Sequence, residues 1–276
     1  MKKQESTFRM RSKLEVWLKE GYKRWFEALN GLRFIKNKFQ VIAHIFGLYE
    51  KINIIYYLKN GLKLKVSNTR QDRTMILSIN DIFVSKQYSV PQSQSRKIIL
   101  DLGANIGAFS IYTALENPNA KIYSFEPYPD NFGQLCDNIK INKLEKRIFP
   151  LKEAIAKENG KLTFYCNQIS SRAHSLLNKT GEKITVESAN LETIFLRFKI
   201  QKCDILKMDI EGAEYEVLYN CPNTLFDKID IILVECHSIF VSINYTYTQD
   251  HMRKFLFNKG FKVTRDKGPV LIARKV

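Results

Sequence analysis

A glycine turn and a single glutamate further along the chain carry the first chemical signal in this sequence. Asp101-Leu-Gly103-Ala-Asn105-Ile-Gly107 closes the apolar run KIILDLG, and Glu126-Pro127 closes a second run, AKIYSFEP, 19 residues after Gly107. Glycines where a strand meets a helix permit a tight turn and let a ligand come close to the backbone. An acid ending the second strand of an α/β unit stands where a carboxylate accepts hydrogen bonds from both hydroxyls of a ribose. Pro127 then turns the chain at once. The register is not G-x-G-x-x-G, because Asn105 and Ala108 occupy two of the three glycine positions, and no G-x-x-x-x-G-K-[ST] phosphate loop occurs anywhere. The pair therefore reads as a nucleoside site without a diphosphate grip. That argues against NAD or FAD and fits S-adenosylmethionine, which has a ribose, an adenine and an amino-acid tail but no phosphate. The plainer alternative makes Asp101 and Glu126 helix-capping or loop acids.

Several elements must position these groups. The runs KIILDLG, AKIYSFEP, RIFPLKEAIA (147–156), CDILKMDI (203–210) and IDIILVECH (229–237) alternate with helical patterns, among them Ile106, Phe109, Ile111 and Leu115. The terminal FKVT and VLIARKV complete the set. Apolar runs separated by helices predict a mostly parallel sheet with helices on both faces, which binds ligands at the carboxyl ends of its strands. Three segments are expected: a basic helical extension over 1–52, a β-hairpin and lead-in over 53–96, and a ligand-binding domain over 97–276. Within the first, Leu14, Trp17, Leu18, Trp25, Phe26 and Leu29 recur at helical spacing over 12–30, and a second helix is expected over 34–50. These helices read either as a cap on the main domain or as a basic surface lying on an anionic membrane. Across 53–67 two strands meet at Asn60-Gly61, a strong hairpin signal.

Composition bounds the class. The 276 residues, 45% hydrophobic and 26% charged with only seven Pro and twelve Gly, exclude a fibrous, low-complexity or disordered chain. The formal charge is +16, of which residues 1–70 hold +11, so attraction to polyanions is confined to the N-terminal quarter. Five cysteines with no C-x-x-C pair indicate neither a disulfide framework nor a zinc ribbon. The N-terminus lacks the apolar stretch of a secretory signal, and the greasiest region, 41–58, is broken by His44, Glu50, Lys51 and Asn53. A cytoplasmic protein, peripheral to membrane at most, is expected.

Four ordered segments make a specific resemblance. ILDLGANIGAFS (99–110), YSFEPYPDNFGQLCDNIKIN (123–142), KEAIAKENGKLTFY (152–165) and ILKMDIEGAEYEVL (205–218) resemble the motifs of FkbM-type methyltransferases, a class I family using S-adenosylmethionine, over about 82–240. The resemblance implies a Rossmann-like, seven-stranded, mostly parallel sheet with its last strand antiparallel. It also implies methyl transfer, usually to a hydroxyl of a small molecule or sugar. By the same resemblance, Asp101, Gly103, Asn105 and Gly107 would cradle the methionine half of the cofactor, Glu126 the ribose, and Glu153 with Ala154 the adenine. Asp209 would stand where donor and acceptor meet. The family often has Leu-Asp where this chain has Leu191-Glu192.

Physical argument supports Asp209 independently. Methyl transfer from a sulfonium is an in-line displacement, so the protein must align the reactants and remove the hydroxyl proton. A carboxylate there could favour the charged donor or orient the nucleophile. His237 is a second candidate base because imidazole titrates near neutrality. Lys207 and Glu211, near the same strand ends, read equally as ion-pair partners. No metal is required, but Asp209 with Glu235 resembles the magnesium-binding pair of catechol-type methyltransferases, with Cys236 a poor third ligand for so hard an ion. An RNA methyltransferase gripping phosphates with the basic N-terminus, and a noncatalytic nucleoside-binding module at a membrane, are the competing functions. Acceptor contacts are expected from 166–190 and 238–250, stretches that read as loops.

Overall fold

The structure, a computed structural model, describes residues 25–49, 51–67, 75–88, 92–166, 182–237, 246–265 and 268–276. The helical pattern expected over 12–24 lies outside the described residues, as do 167–181 and 238–245 of the two expected acceptor loops.

Seven strands form the central sheet: β3 (Ile98–Leu102), β4 (Lys121–Phe125), β5 (Ile148–Leu151), β9 (Ile205–Met208), β10 (Ile231–Glu235), β11 (Phe261–Arg265) and β12 (Val270–Lys275). Their order is β11-β12-β10-β9-β3-β4-β5. Every neighbouring pair is parallel except the two that involve β12. β9 and β10 are buried almost throughout, as strands covered on both faces must be. The chain leaves β3 toward β4 and β5 on one side and returns through β9 and β10 on the other. That reversal opens a crevice beyond the carboxyl ends of β3 and β9. The Rossmann-like class I architecture is thus the one expected from the sequence. Helices α4 (Ala108–Glu116), α5 (Pro129–Ile141), α6 (Leu191–Arg197), α7 (Glu214–Tyr219), α8 (Asn223–Phe226) and α9 (Gln249–Asn258) flank the sheet.

Sequence reading missed a second sheet. Ala154–Ile155 (β6), Gly160–Cys166 (β7) and Glu182–Ala189 (β8) form a three-stranded sheet of order β6-β8-β7. The latter part of the stretch read as a loop over 166–190 is therefore a strand. Burial alternates along it, with Ile184, Val186 and Ser188 turned inward and Lys183, Thr185 and Glu187 exposed, a period-two pattern that local polarity concealed.

Before the sheet, residues 25–33 form helix α1 and Lys38–Ile45 form α2, a shorter helix than the 34–50 expected. Asn53–Tyr57 (β1) and Lys63–Ser67 (β2) make the expected hairpin, with Ile54, Tyr56, Leu64 and Val66 facing inward. The free edge of β2 is closed by side chains rather than by another strand. Gln134, Asn138 and Asn142 accept from the backbone N–H groups of Ser67, Lys65 and Lys63 at 3.0, 2.5 and 2.9 Å. Asn138 and Asn142 also donate to the carbonyls of Lys65 and Lys63. Four helical residues advance about 6 Å and two strand residues about 6.7 Å, so an amide every fourth residue on α5 matches every second residue of β2. The hairpin shares one buried apolar cluster with the sheet, running from Ile35, Val41 and Tyr56 to Ile99, Phe109 and Leu135. Met75–Ile79 (α3) then continues into a π-helical turn, Asn80–Val84, where sequence reading had seen only an apolar segment. Among the described residues no helix is long and apolar enough to cross a membrane.

Candidate active site

The glycine turn after β3 is shaped by its neighbours in the fold. Gly103 has φ +77°, and a Cβ there would lie 1.8 Å from the carbonyl oxygen of Asp209. The ends of β3 and β9 therefore approach too closely for any side chain. A Cβ on Gly107 would meet Leu135 Cδ1 at 2.6 Å, which makes that glycine a packing requirement between α4 and α5. The expectation that both glycines make room for a ligand is corrected accordingly. Gly103 borders the crevice, whereas Gly107 does not line it.

Glu126 sits at the crevice wall with both carboxylate oxygens held by backbone. Asn105 N–H donates to Oε2 at 2.8 Å and Tyr128 N–H to Oε1 at 2.9 Å. Burial pushes its pKa up to about 7, against the pull of those two donors. The Asn131 side chain is a third donor to it; a carboxylate offers about four lone-pair sites, so acceptor capacity remains for a hydroxyl. Pro127 and Asn131 border the same wall, and Glu153 with Ala154 lie further along it. Glu153 is already engaged, since Arg197 forks onto its two oxygens at 2.6 and 3.1 Å.

Asp101 does not reach the crevice. It is wholly buried behind the wall, accepting from Ser110 Oγ at 2.5 Å and standing 3.2 Å from Lys207 Nζ. The role expected for it, cradling the cofactor, is replaced by one of fixing Lys207. That ammonium also donates to the carbonyl of Gly103 at 2.7 Å and lies 3.8 Å from Asp209 Oδ2. The rings of Tyr88 and Phe109 flank it at 5.8 and 5.9 Å. Burial works against its charge, but Asp101 and Asp209 outweigh that and hold its pKa above the ordinary lysine value. Lys207 is thus a standing cation and no proton shuttle.

Opposite Glu126, Asp209, Glu211, Glu235 and His237 converge. Tyr88, which sequence reading did not single out, places its hydroxyl in reach of both Glu235 and Asp209 Oδ2, the latter at 3.3 Å. With one proton to give, the phenol is shared between two carboxylates. His237 Nδ1 is paired with Glu214 Oε1 at 2.8 Å. Its Nε2 lies 3.6 Å from Glu211, 3.8 Å from Glu235 and 3.9 Å from Asp209. Burial lowers the imidazole pKa, but the bond to Glu214 and the surrounding carboxylates overcome this and raise it to about 10. These partners favour the imidazolium over the neutral ring that a base near pH 7 would need. Burial, reinforced by Asp209, raises Glu211 to about 8.

The donor set suited to a divalent cation also differs from the pair Asp209 and Glu235. One ligand atom each from Asp209, Glu211 and His237 lies within 4.8 Å of the others, whereas Tyr88 engages Glu235. Cys236 belongs to the apolar core on the other side. A cation would fit the set only with His237 deprotonated, and a mixed nitrogen and oxygen set suits a transition ion better than magnesium.

The crevice holds about 1070 Å³ of space, part of it open to solvent. Its far wall comes from α3 and the residues after it, including Ser78, Asp81, Gln87 and Tyr88. No local pattern marks these residues, because their chemistry arises only where the segment folds over the strand ends.

The methyltransferase FkbM domain family matches residues 101–263. Methyltransferase sdnD of Sordaria araneosa is 26% identical over 218 residues, 68% of this chain and 82% of that protein. The 31-O-demethyl-FK506 methyltransferase FkbM of Streptomyces tacrolimicus is 23% identical over 210 residues, 65% of this chain and 78% of its own length. The hexuronic acid methyltransferase AglP of Haloferax volcanii is 24% identical over 147 residues, covering 53% of this chain and 59% of AglP.

Proposed function

This chain belongs to the FkbM methyltransferase family and is an S-adenosylmethionine-dependent methyltransferase, and we propose that it methylates a hydroxyl group of a small molecule or glycan. When bound, S-adenosylmethionine supplies an electrophilic methyl group on a sulfonium. Glu126, pre-oriented by two backbone donors, would take the ribose, with Gly103 and Asn105 beside the methionine half. Ala154 and the stem of Glu153 would border the adenine.

The observation that carries the reading is the pair of carboxylates, Asp209 and Glu235, sharing the Tyr88 phenol at the ends of β9 and β10. A hydroxyl must lose its proton as it is methylated, and a carboxylate within one hydrogen bond can accept it. The proton passes to Asp209 Oδ1, while Tyr88 and Lys207 hold Oδ2 in place. His237, charged and tied to Glu214, keeps four acids together without leaving the base role to an imidazole. The names of two relatives agree with such acceptors, one naming 31-O-demethyl-FK506 and one a hexuronic acid.

An RNA acceptor is disfavoured by the crevice itself. Asp81, Glu126, Glu153, Asp209, Glu211 and Glu235 line it, with Lys207 the one basic residue among the described lining side chains. A phosphate backbone would be repelled there. The test is incubation with methyl-labelled S-adenosylmethionine and cell extract separated into RNA, lipid, glycan and small-molecule fractions. Label in a glycan or small molecule, released as a methyl ether, is expected. Label confined to RNA would overturn the reading.

A further inference from the structure

We infer that the outer face of α1 and α2 is a docking surface for an anionic lipid bilayer. The two helices have two dissimilar faces. The inner one is fixed within the protein: Val41 and His44 of α2 are fully buried, and His44 pairs with Tyr56 Oη at 2.9 Å and with the Ser67 carbonyl at 3.2 Å. These helices are therefore held without any lipid, so the cap and the membrane surface are two faces of one element rather than alternatives.

Among the described residues the outer face is apolar and exposed. Phe39 is 90% exposed and Phe46 57% exposed; seven residues apart on one helix, they lie along the same line. The Trp25 ring is 5.8 Å from that of Phe46, joining α1 to the same patch. Trp25, Phe26 and Leu29 are each more than half exposed, and Leu48 and Ile52 follow beyond α2. Seven of the thirteen large hydrophobic side chains exposed among the described residues thus come from residues 25–52. Single exposed apolar residues are ordinary, but a concentration of this kind marks a contact surface.

Charge selects the occupant. Arg33, Lys36, Lys38 and Lys51 are exposed around the patch, and residues 1–70 carry +11. Aromatic rings beside basic side chains match the boundary of an anionic bilayer, where rings enter the headgroup level and ammonium groups meet phosphates. RNA would satisfy the cations but gain nothing from Leu29, Leu48 or Ile52.

The test is sedimentation of the full chain with vesicles of phosphatidylglycerol and phosphatidylcholine, against phosphatidylcholine alone. The protein should pellet with the anionic vesicles at low salt and be released as salt rises. Phe39→Glu with Phe46→Glu should weaken that binding by at least about tenfold, with cofactor affinity by calorimetry and melting temperature unchanged. Phe39→Glu alone, at a side chain with almost no packing, guards against a folding defect and should weaken binding in the same direction. Three outcomes would overturn the inference: no pelleting by the full chain, equal pelleting by the folded double variant, or a double variant whose only change is loss of self-association in sedimentation velocity.

Discussion

The two ends of the crevice are built on different principles. Around Glu126 the geometry is backbone: N–H groups from a glycine turn and from the start of a helix fix one carboxylate. All of this lies within about thirty residues of chain, between β3 and α5. Around Asp209 the geometry is side-chain electrostatics, with Tyr88, Asp101, Lys207, Glu214, Glu235 and His237 drawn from five elements or the loops between them. One end is preorganised to bind, and its shape survives the loss of a side chain. The other depends on a balance of charges that moves the pKa values of Lys207, Glu211 and His237, so a single neutralisation should be felt in catalysis before it is felt in affinity.

The largest expected effect is at Asp209. Asp209→Asn keeps the size and removes the charge, so kcat should fall by about a hundredfold while the Kd for S-adenosylmethionine, read by calorimetry, moves little. Wild-type turnover by this variant would erase the distinction between the two ends. Glu126→Ala should do the reverse, costing roughly 1.5 to 3 kcal/mol of cofactor affinity with turnover retained at saturating cofactor. Because burial lifts the Glu126 pKa to about 7 and only the ionised form is a pure acceptor, wild-type affinity should rise with pH through neutrality. Glu126→Gln should show a flat profile across the same range.

Tyr88→Phe sharpens the comparison further. The variant takes away the donor that Asp209 and Glu235 share and leaves the two carboxylates without it. Turnover should drop by about tenfold with cofactor affinity unchanged. Unchanged turnover would make the phenol a packing group only. The smallest effect concerns stability. His237 has its pKa raised from 6.5 to about 10, so its contribution is complete below about pH 6.5 and is lost as pH climbs through 10. Thermal melts in chelator should therefore show the wild type losing its advantage over His237→Gln across that window. Should chelation itself abolish turnover and a divalent ion restore it, the cluster of Asp209, Glu211 and His237 holds a metal rather than a proton.

The sequence by itself determined the order of apolar runs and helices, the hairpin at Asn60-Gly61, the glycine turn and Glu126. Each of these rests largely on near neighbours in the chain: a period of two or of about four, a turn residue, a carboxylate two positions before the Tyr128 N–H that helps to orient it. Only the tertiary structure decided that Asp101 stands against Lys207, that Gly107 packs against Leu135, that Tyr88 reaches the strand ends, and that His237 sits among four acids. Tyr88 and Glu235 are separated by 147 positions, and neither spacing nor residue type encodes their meeting. A side chain's protonation and partners follow from distances through space and from burial, quantities that exist only once the chain has folded.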